Sequence, residues 1–340
     1  MSENIVNMSR QSNMELARIV AMFLVLVGHA DFLSLGWPSY EDSVNAPSDT
    51  WFRLFVESAS LVSVNLFVFI SGWFGIHPSV KKAVHLLFVA LFYSLTIFCI
   101  SLAVNGSDAC TLDNIKNAVL LSQGYWFIKC YLFLFIISPA LNLLVEHLPK
   151  KQVLILIIGL FVFQTVFGWS EATFDYHHGY SSLLFILLYL IARFAREYDF
   201  RHKCDKNFWL SVYVLLTIII TVISFVATRI EWIPSSIVWY MMNYLNPLAV
   251  FSAFSLLLYF SNLKIKSNRF INWVASSTLA VYLIHANDVT LPLYAEAIYR
   301  INSNSHIPLV MINVFIISVF VACILIDKVR ALLFRIIRIG

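Results

Sequence analysis

The chain has 340 residues, 60% of them hydrophobic and 12% charged, with a mean hydropathy of +0.80 and a formal net charge of +4. Soluble domains carry about 25% charged residues, so this balance excludes an ordinary soluble domain and points to one embedded in a bilayer. The basic residues fall in short clusters between apolar runs, which does not describe a nucleic-acid surface.

An apolar run must reach roughly 17–25 residues to cross the hydrocarbon core as a helix. Ten stretches qualify by that reading: 14–35, 58–76, 83–105, 123–145, 152–169, 180–196, 208–229, 236–261, 272–290 and 307–329. The expected fold is therefore an all-α integral membrane protein of about ten transmembrane helices. It reads as a single domain over 1–340, with its core at about 14–329 and no appended soluble domain. The first run is longer than the apolar region of a signal peptide and Arg18 interrupts its start, so it reads as a retained span. The sixth is short, and Asn246-Pro247 interrupts the eighth. The five cysteines (Cys99, Cys110, Cys130, Cys204, Cys323) have no paired spacing, and neither a disulfide framework nor a metal site is expected.

The connecting charges give a direction. Loops after even-numbered spans are basic: Lys81 and Lys82, then Lys150 and Lys151, then Arg193 to Lys206, then Lys264, Lys266 and Arg269, and a tail with Lys328, Arg330, Arg335 and Arg338. Loops after odd-numbered spans lean acidic: Asp31, Glu41, Asp42 and Asp49, then Asp108 and Asp113, then Glu171 and Asp175. The positive-inside rule predicts both termini in the cytoplasm. The first outer loop, Gly36 to Ser48, has no periodicity and is expected to be irregular.

The first span reads ELARIVAMFLVLVGHAD. Arg18 and His29 lie eleven residues apart, close to three helical turns, so both project from one face about 16 Å apart along the axis. Ionisable groups inside a bilayer are costly and tend to face a functional interior. Taken singly, Arg18 also fits a snorkelling anchor and His29 an interfacial histidine, but neither explanation predicts a shared face. Asp31, two residues on, points away from His29. The second span carries Asn65 and Ser71-Gly72, which suit either close helix packing or a cavity wall. The fourth contains Tyr125, Trp126 and Lys129, and the ninth Tyr282 and His285. His29, Lys129 and His285 fall at similar depth on the outer side, which suggests a shared polar cavity. His177-His178 reads as solvated loop.

These residues also carry a resemblance. Arg-x10-His on the first span, ISGWF on the second, GYWFIKCYLFLFIISPALN on the fourth and SSTLAVYLIHA on the ninth resemble, in order, the motifs of the acyltransferase-3 family of membrane-bound acyltransferases. Trp73 stands where the family often has Phe or Tyr. Lys81 and Lys82 stand where many members have arginine, and a lysine is a point charge without the guanidinium fork. The resemblance implies a bacterial inner-membrane enzyme that moves an acyl group, most often acetyl, from cytoplasmic acyl-CoA to a hydroxyl of a cell-surface or lipid-linked saccharide. Acyl-CoA (acetyl-CoA) would be a co-substrate, with no permanently bound cofactor and no nucleic-acid partner. Carried onto this chain, His29 matches the catalytic histidine and Arg18 the motif arginine. Lys81 and Lys82 match basic residues of the donor side. Asn65, Ser71, Trp126, Lys129, Tyr131, Tyr282 and His285 are the expected substrate-cavity residues. A histidine suits proton abstraction from a hydroxyl, and Arg18 at the inner mouth suits the phosphates of CoA. The alternative is a transporter or flippase for a lipid-linked sugar, which also accommodates a midspan Asn-Pro break. A structural membrane subunit is a third reading, for which substitutions at Arg18 and His29 are silent.

Overall fold

The computed structural model describes residues 11–121, 123–170, 174–232 and 236–336, and the described chain is helical with no strand. Of the loop charges named above, Glu171 and Arg338 lie outside the described residues. In chain order the helices are α1 (Ser12–Gly28), α2 (Tyr40–Asn45), α3 (Pro47–Ser60), α4 (Val62–Phe74), α5 (Val80–Asn105), α6 (Leu112–Val119), α7 (Trp126–His147) and α8 (Lys150–Phe163). They continue with α9 (Ser182–Glu197), α10 (Lys206–Thr228), α11 (Ser236–Met241), α12 (Pro247–Asn262), α13 (Arg269–Ala275), α14 (Thr278–His285), α15 (Thr290–Asn304) and α16 (Pro308–Ile336).

Among the described residues seven helical segments are long and apolar enough to cross a membrane: Ser12–Leu33, Pro47–Phe74, Val80–Ala109, Trp126–His147, Lys150–Ser170, Lys206–Thr228 and Pro308–Ile336. The other three expected spans are realised differently. The sixth is α9, whose 16 residues rise only about 24 Å, less than the roughly 30 Å of a hydrocarbon core. The eighth is split into α11 and α12 at Asn246-Pro247, and the ninth into α13 and α14 at Ser276-Ser277.

Burial explains why shorter helices suffice at these places. On α9 the run Leu187 to Leu190 is wholly buried, and α12 buries Ser252, Ala253 and Ser255 through Leu258. Both pack against α4, which is itself almost entirely enclosed. Long helices carry the outward apolar surface instead: Leu95 and Ile100 on α5, Ile155 and Ile158 on α8, Leu215 on α10, Val314 and Val321 on α16. Such surface is stable only against lipid.

The α4–α9 approach depends on Gly72. A Cβ there would lie 2.6 Å from the Tyr189 carbonyl oxygen and 2.9 Å from the Ala192 methyl, so only glycine permits this contact. The same junction is tied by the Tyr189 hydroxyl, which donates to Asn142 Oδ1 (2.7 Å) and accepts from the Ile76 N–H (2.8 Å).

The break before α12 frees carbonyls that lipid cannot satisfy, and side chains take their place. Asn65 Nδ2 donates to the Tyr244 carbonyl (3.0 Å), Gln164 Nε2 to that of Leu245 (3.3 Å), Trp169 Nε1 to that of Tyr240 (2.7 Å) and Asn246 Nδ2 to that of Met241 (2.7 Å). Pro at the first position of α12 removes a donor that would have been orphaned anyway.

The loop after the first span departs from expectation. Gly36 to Ser48 contains α2 and the start of α3 rather than irregular chain. Ser39 and Asp42 form a reciprocal capping box, and Pro47 opens α3. The Ser39 N–H and hydroxyl, both donating to Asp42, hold its carboxyl below the usual carboxylate range. The second crossing helix therefore begins at residue 47, a full α3 earlier than the hydrophobic run beginning at 58 suggests.

Candidate active site

α1 does not end cleanly. At His29–Leu33 it widens into a single π-helical turn, a distortion frequent at functional sites. Polar groups hold the widened turn: the Ser34 hydroxyl donates to the His29 carbonyl (2.6 Å), Tyr294 Oη to the Leu26 carbonyl (2.9 Å), and Arg53 Nε to Asp31 Oδ1 (2.8 Å). Asp31 is thus held by Arg53 and turned away from His29, as its spacing implies.

Beside this turn lies a cavity of about 750 Å³. The α1 residues Arg18, Met22, Val25 and His29 all line it. Their spacing of four, three and four follows one face of the helix, so the Arg18–His29 face is a continuous strip of the cavity wall. α3, α4, α7 and α14 supply other parts of that wall through Glu57, Ser71, Trp126, Tyr131 and Tyr282.

His29 meets the second histidine. Its Nδ1 lies 2.8 Å from His285 Nε2, with the rings near-parallel at 26° and their centroids 5.0 Å apart. His285 is buried behind His29, and the edge of Tyr294 packs on it at 4.4 Å. Two imidazoles at this distance need one N–H and one lone pair between them. If His29 donates through Nδ1, its Nε2 carries a free lone pair.

Arg18 is a third exposed and pairs with Glu15 at 2.6 Å, one turn back on α1. Its guanidinium also lies 5.7 Å from the centre of the Phe74 ring, at the end of the ISGWF segment. That single ion pair uses one Nη, which leaves other N–H donors of the fork for an anion.

The remaining expected residues divide clearly. Ser71, Trp126, Tyr131 and Tyr282 line the cavity; the Tyr282 hydroxyl donates to the Gly124 carbonyl (2.8 Å) and the Ser71 hydroxyl to that of Phe67 (3.1 Å). Asn65 is buried off the cavity, where it supports the α12 break. Lys129 is exposed and does not line the cavity, so of the three ionisable residues expected at one level only the two histidines meet. Its position on α7 turns it away from Phe127 and Tyr131, which line the cavity. Lys81 and Lys82 are exposed at the start of α5, and Lys82 Nζ donates to the His77 carbonyl (2.8 Å). Neither lines the cavity.

Other wall residues were not legible as such. His178, expected in solvated loop, lines the cavity and packs edge-on to Trp239 at 5.3 Å. Trp37 meets the same Trp239 at 5.1 Å. Glu57 stands just before the run beginning at 58 and so reads as an interfacial acid. The signal that places it inside a helix is the Pro47-Ser48-Asp49 start of α3, since a first-turn proline and acid mark a helix N-terminus.

The site thus joins a basic group at one end of a helix face, a histidine pair at the other and an aromatic wall between. Among curated proteins and among solved structures no match was found. The acyltransferase-3 family, described as an acyltransferase domain, matches residues 11–327. A match over essentially the whole chain means that this chain belongs to the acyltransferase-3 family.

Proposed function

We propose that the protein transfers an acyl group, acetyl being the expected one, from cytoplasmic acyl-CoA to a hydroxyl of a cell-surface or lipid-linked saccharide, across the membrane body of a bacterial inner-membrane enzyme. The observation that carries this reading is the single cavity lined by both Arg18 and His29. Their separation of about 16 Å along the helix suits an extended pantetheine arm with its phosphates at Arg18 and its thioester near His29. By the positive-inside rule the loop charges favour Arg18 on the cytoplasmic side, where acyl-CoA is available.

The chemistry follows from the histidine pair. His285 Nε2 accepts from His29 Nδ1–H, which leaves His29 Nε2 to take the proton of the acceptor hydroxyl. The hydroxyl oxygen attacks the thioester carbonyl, forming the ester C–O bond. Collapse of the tetrahedral intermediate breaks the C–S bond, and the imidazolium returns its proton to the CoA thiolate. While His29 is protonated its bond to His285 is charge-assisted and stronger. A base positioned in this way contributes about 10²–10⁴-fold.

Incubating the purified protein in nanodiscs with acyl-labelled acetyl-CoA and envelope glycans tests the proposal. Label covalently bound to glycan is the expected result. Glycan movement with no covalent label favours the transporter reading and overturns this one.

A further inference from the structure

The mechanism above leaves a carboxyl group of the cavity unused. Glu57, in the last turn of α3, lines the cavity, and its Oε2 is buried with no hydrogen-bond partner. The nearest cation on its own helix is committed elsewhere: Arg53, one turn earlier, pairs with Asp31 at 2.8 Å and also donates to the Gly36 carbonyl. Glu57 has no ion pair of its own among the described residues. A buried polar atom left without a partner is expensive, and it persists in a cavity where a ligand or water completes it.

Its neighbours indicate which ligand. The Oε2 lies 3.8 Å from where a Cβ of Gly28 would sit, so the carboxyl stands beside the residue that precedes His29. Gly28 lines the same wall. Tyr180 and Tyr244 line the same cavity as Glu57. Both rings also pack on Trp126, at 4.5 and 6.1 Å, and all three line the cavity. The unpartnered Oε2 can accept from a sugar hydroxyl, and flat aromatic faces pack against the C–H faces of a sugar ring.

We infer that Glu57 is an acceptor-binding residue, its carboxyl accepting hydrogen bonds from hydroxyls of the saccharide while the Trp126–Tyr180–Tyr244 cluster holds a sugar face. This rests on the proposed saccharide acylation and adds the residue that selects and orients the acceptor. A site built to bind a hydroxyl discriminates strongly against a ligand lacking it, because the buried carboxyl is then left unpaired.

The test uses the full chain in nanodiscs with acetyl-labelled acetyl-CoA, and a glycolipid extract of the cell envelope as the acceptor probe. Glu57→Gln keeps the shape and one acceptor oxygen, Glu57→Asp keeps both oxygens on a shorter stem, and Glu57→Ala removes the group. Glu57→Gln is expected to raise the apparent KM for extract by about 10- to 100-fold. The KM for acetyl-CoA should stay within about twofold, since the proposed phosphate contacts at Arg18 lie at the other end of the helix face. Glu57→Asp is expected to fall between the wild type and Glu57→Gln. If wild type labels glycan and neither Glu57→Gln nor Glu57→Ala changes the acceptor KM, the assignment is overturned while the transferase reading stands. If both KM values rise together, or the Glu57→Gln protein melts early, the carboxyl is structural and the assignment is also overturned. If wild type labels no glycan, the transferase reading fails first and the role of Glu57 with it.

Discussion

His29 and His285, 256 positions apart in the chain, share a hydrogen bond of 2.8 Å at the wall of the cavity. In the proposed mechanism His29 donates through Nδ1, and a histidine whose Nδ1 donates to a neighbour has only Nε2 left as a base. On that proposal His285 is a positioning residue, acting through His29 rather than on the reacting atoms.

His285→Gln retains an acceptor oxygen on a flexible stem, whereas His285→Ala removes it. We expect His285→Ala to lower kcat on the order of 10- to 100-fold and His285→Gln to recover part of that loss, with both KM values little changed. Steady-state kinetics in nanodiscs reads this. An unchanged or faster His285→Ala enzyme would mean that His285 donates to His29 rather than accepting from it.

Arg18 stands at the other end of the helix face. Arg18→Ala should raise the KM for acyl-CoA about 10- to 100-fold, the worth of one or two charge-assisted hydrogen bonds. It should leave the acceptor KM unaffected. Arg18→Lys should recover part of the loss, since a lysine keeps the charge without the fork. A donor KM that ignores both substitutions removes Arg18 from the donor site.

Lys129 provides a control from the same chain. It is exposed and off the cavity, so Lys129→Ala should change kcat by no more than about twofold. A large loss would show that α7 presents a different face to the substrate.

Gly72 tests the packing that sets the cavity in place. A Cβ there meets the Tyr189 carbonyl at 2.6 Å, so Gly72→Ala forces α4 and α9 apart. Overpacking of this kind costs about 1–3 kcal/mol, which thermal unfolding in detergent will record as an earlier melt. A melt equal to that of the wild type contradicts the close α4–α9 contact.

Some of this architecture was legible from residue order and some was not, for physical reasons. Apolar length alone marks helices that face lipid, so α5, α8, α10 and α16 stand out in any hydropathy reading. It marks α9, α12 and α14 poorly, because helices enclosed by protein need not span the hydrocarbon and can break at Ser276-Ser277 or Asn246-Pro247. The Arg18–His29 face was legible because an α-helix repeats at a known angle. The His29–His285 bond was foreshadowed only as a common depth, and depth equally suggested Lys129, which the rotation of α7 turns outward. Glu57 and His178 were missed because a charge at the edge of an apolar run, or in a loop, reads as solvated until the partner helices that enclose it are known.

The central claim is that His29 takes the acceptor proton, and His29→Ala tests it most directly. Transfer of label from acetyl-CoA to glycan should fall by about 10²–10⁴-fold. Binding of acetyl-CoA and the thermal melt should stay at wild-type values, because Arg18 and the packing of α1 are untouched. A His29→Ala protein that labels glycan at the wild-type rate contradicts the account.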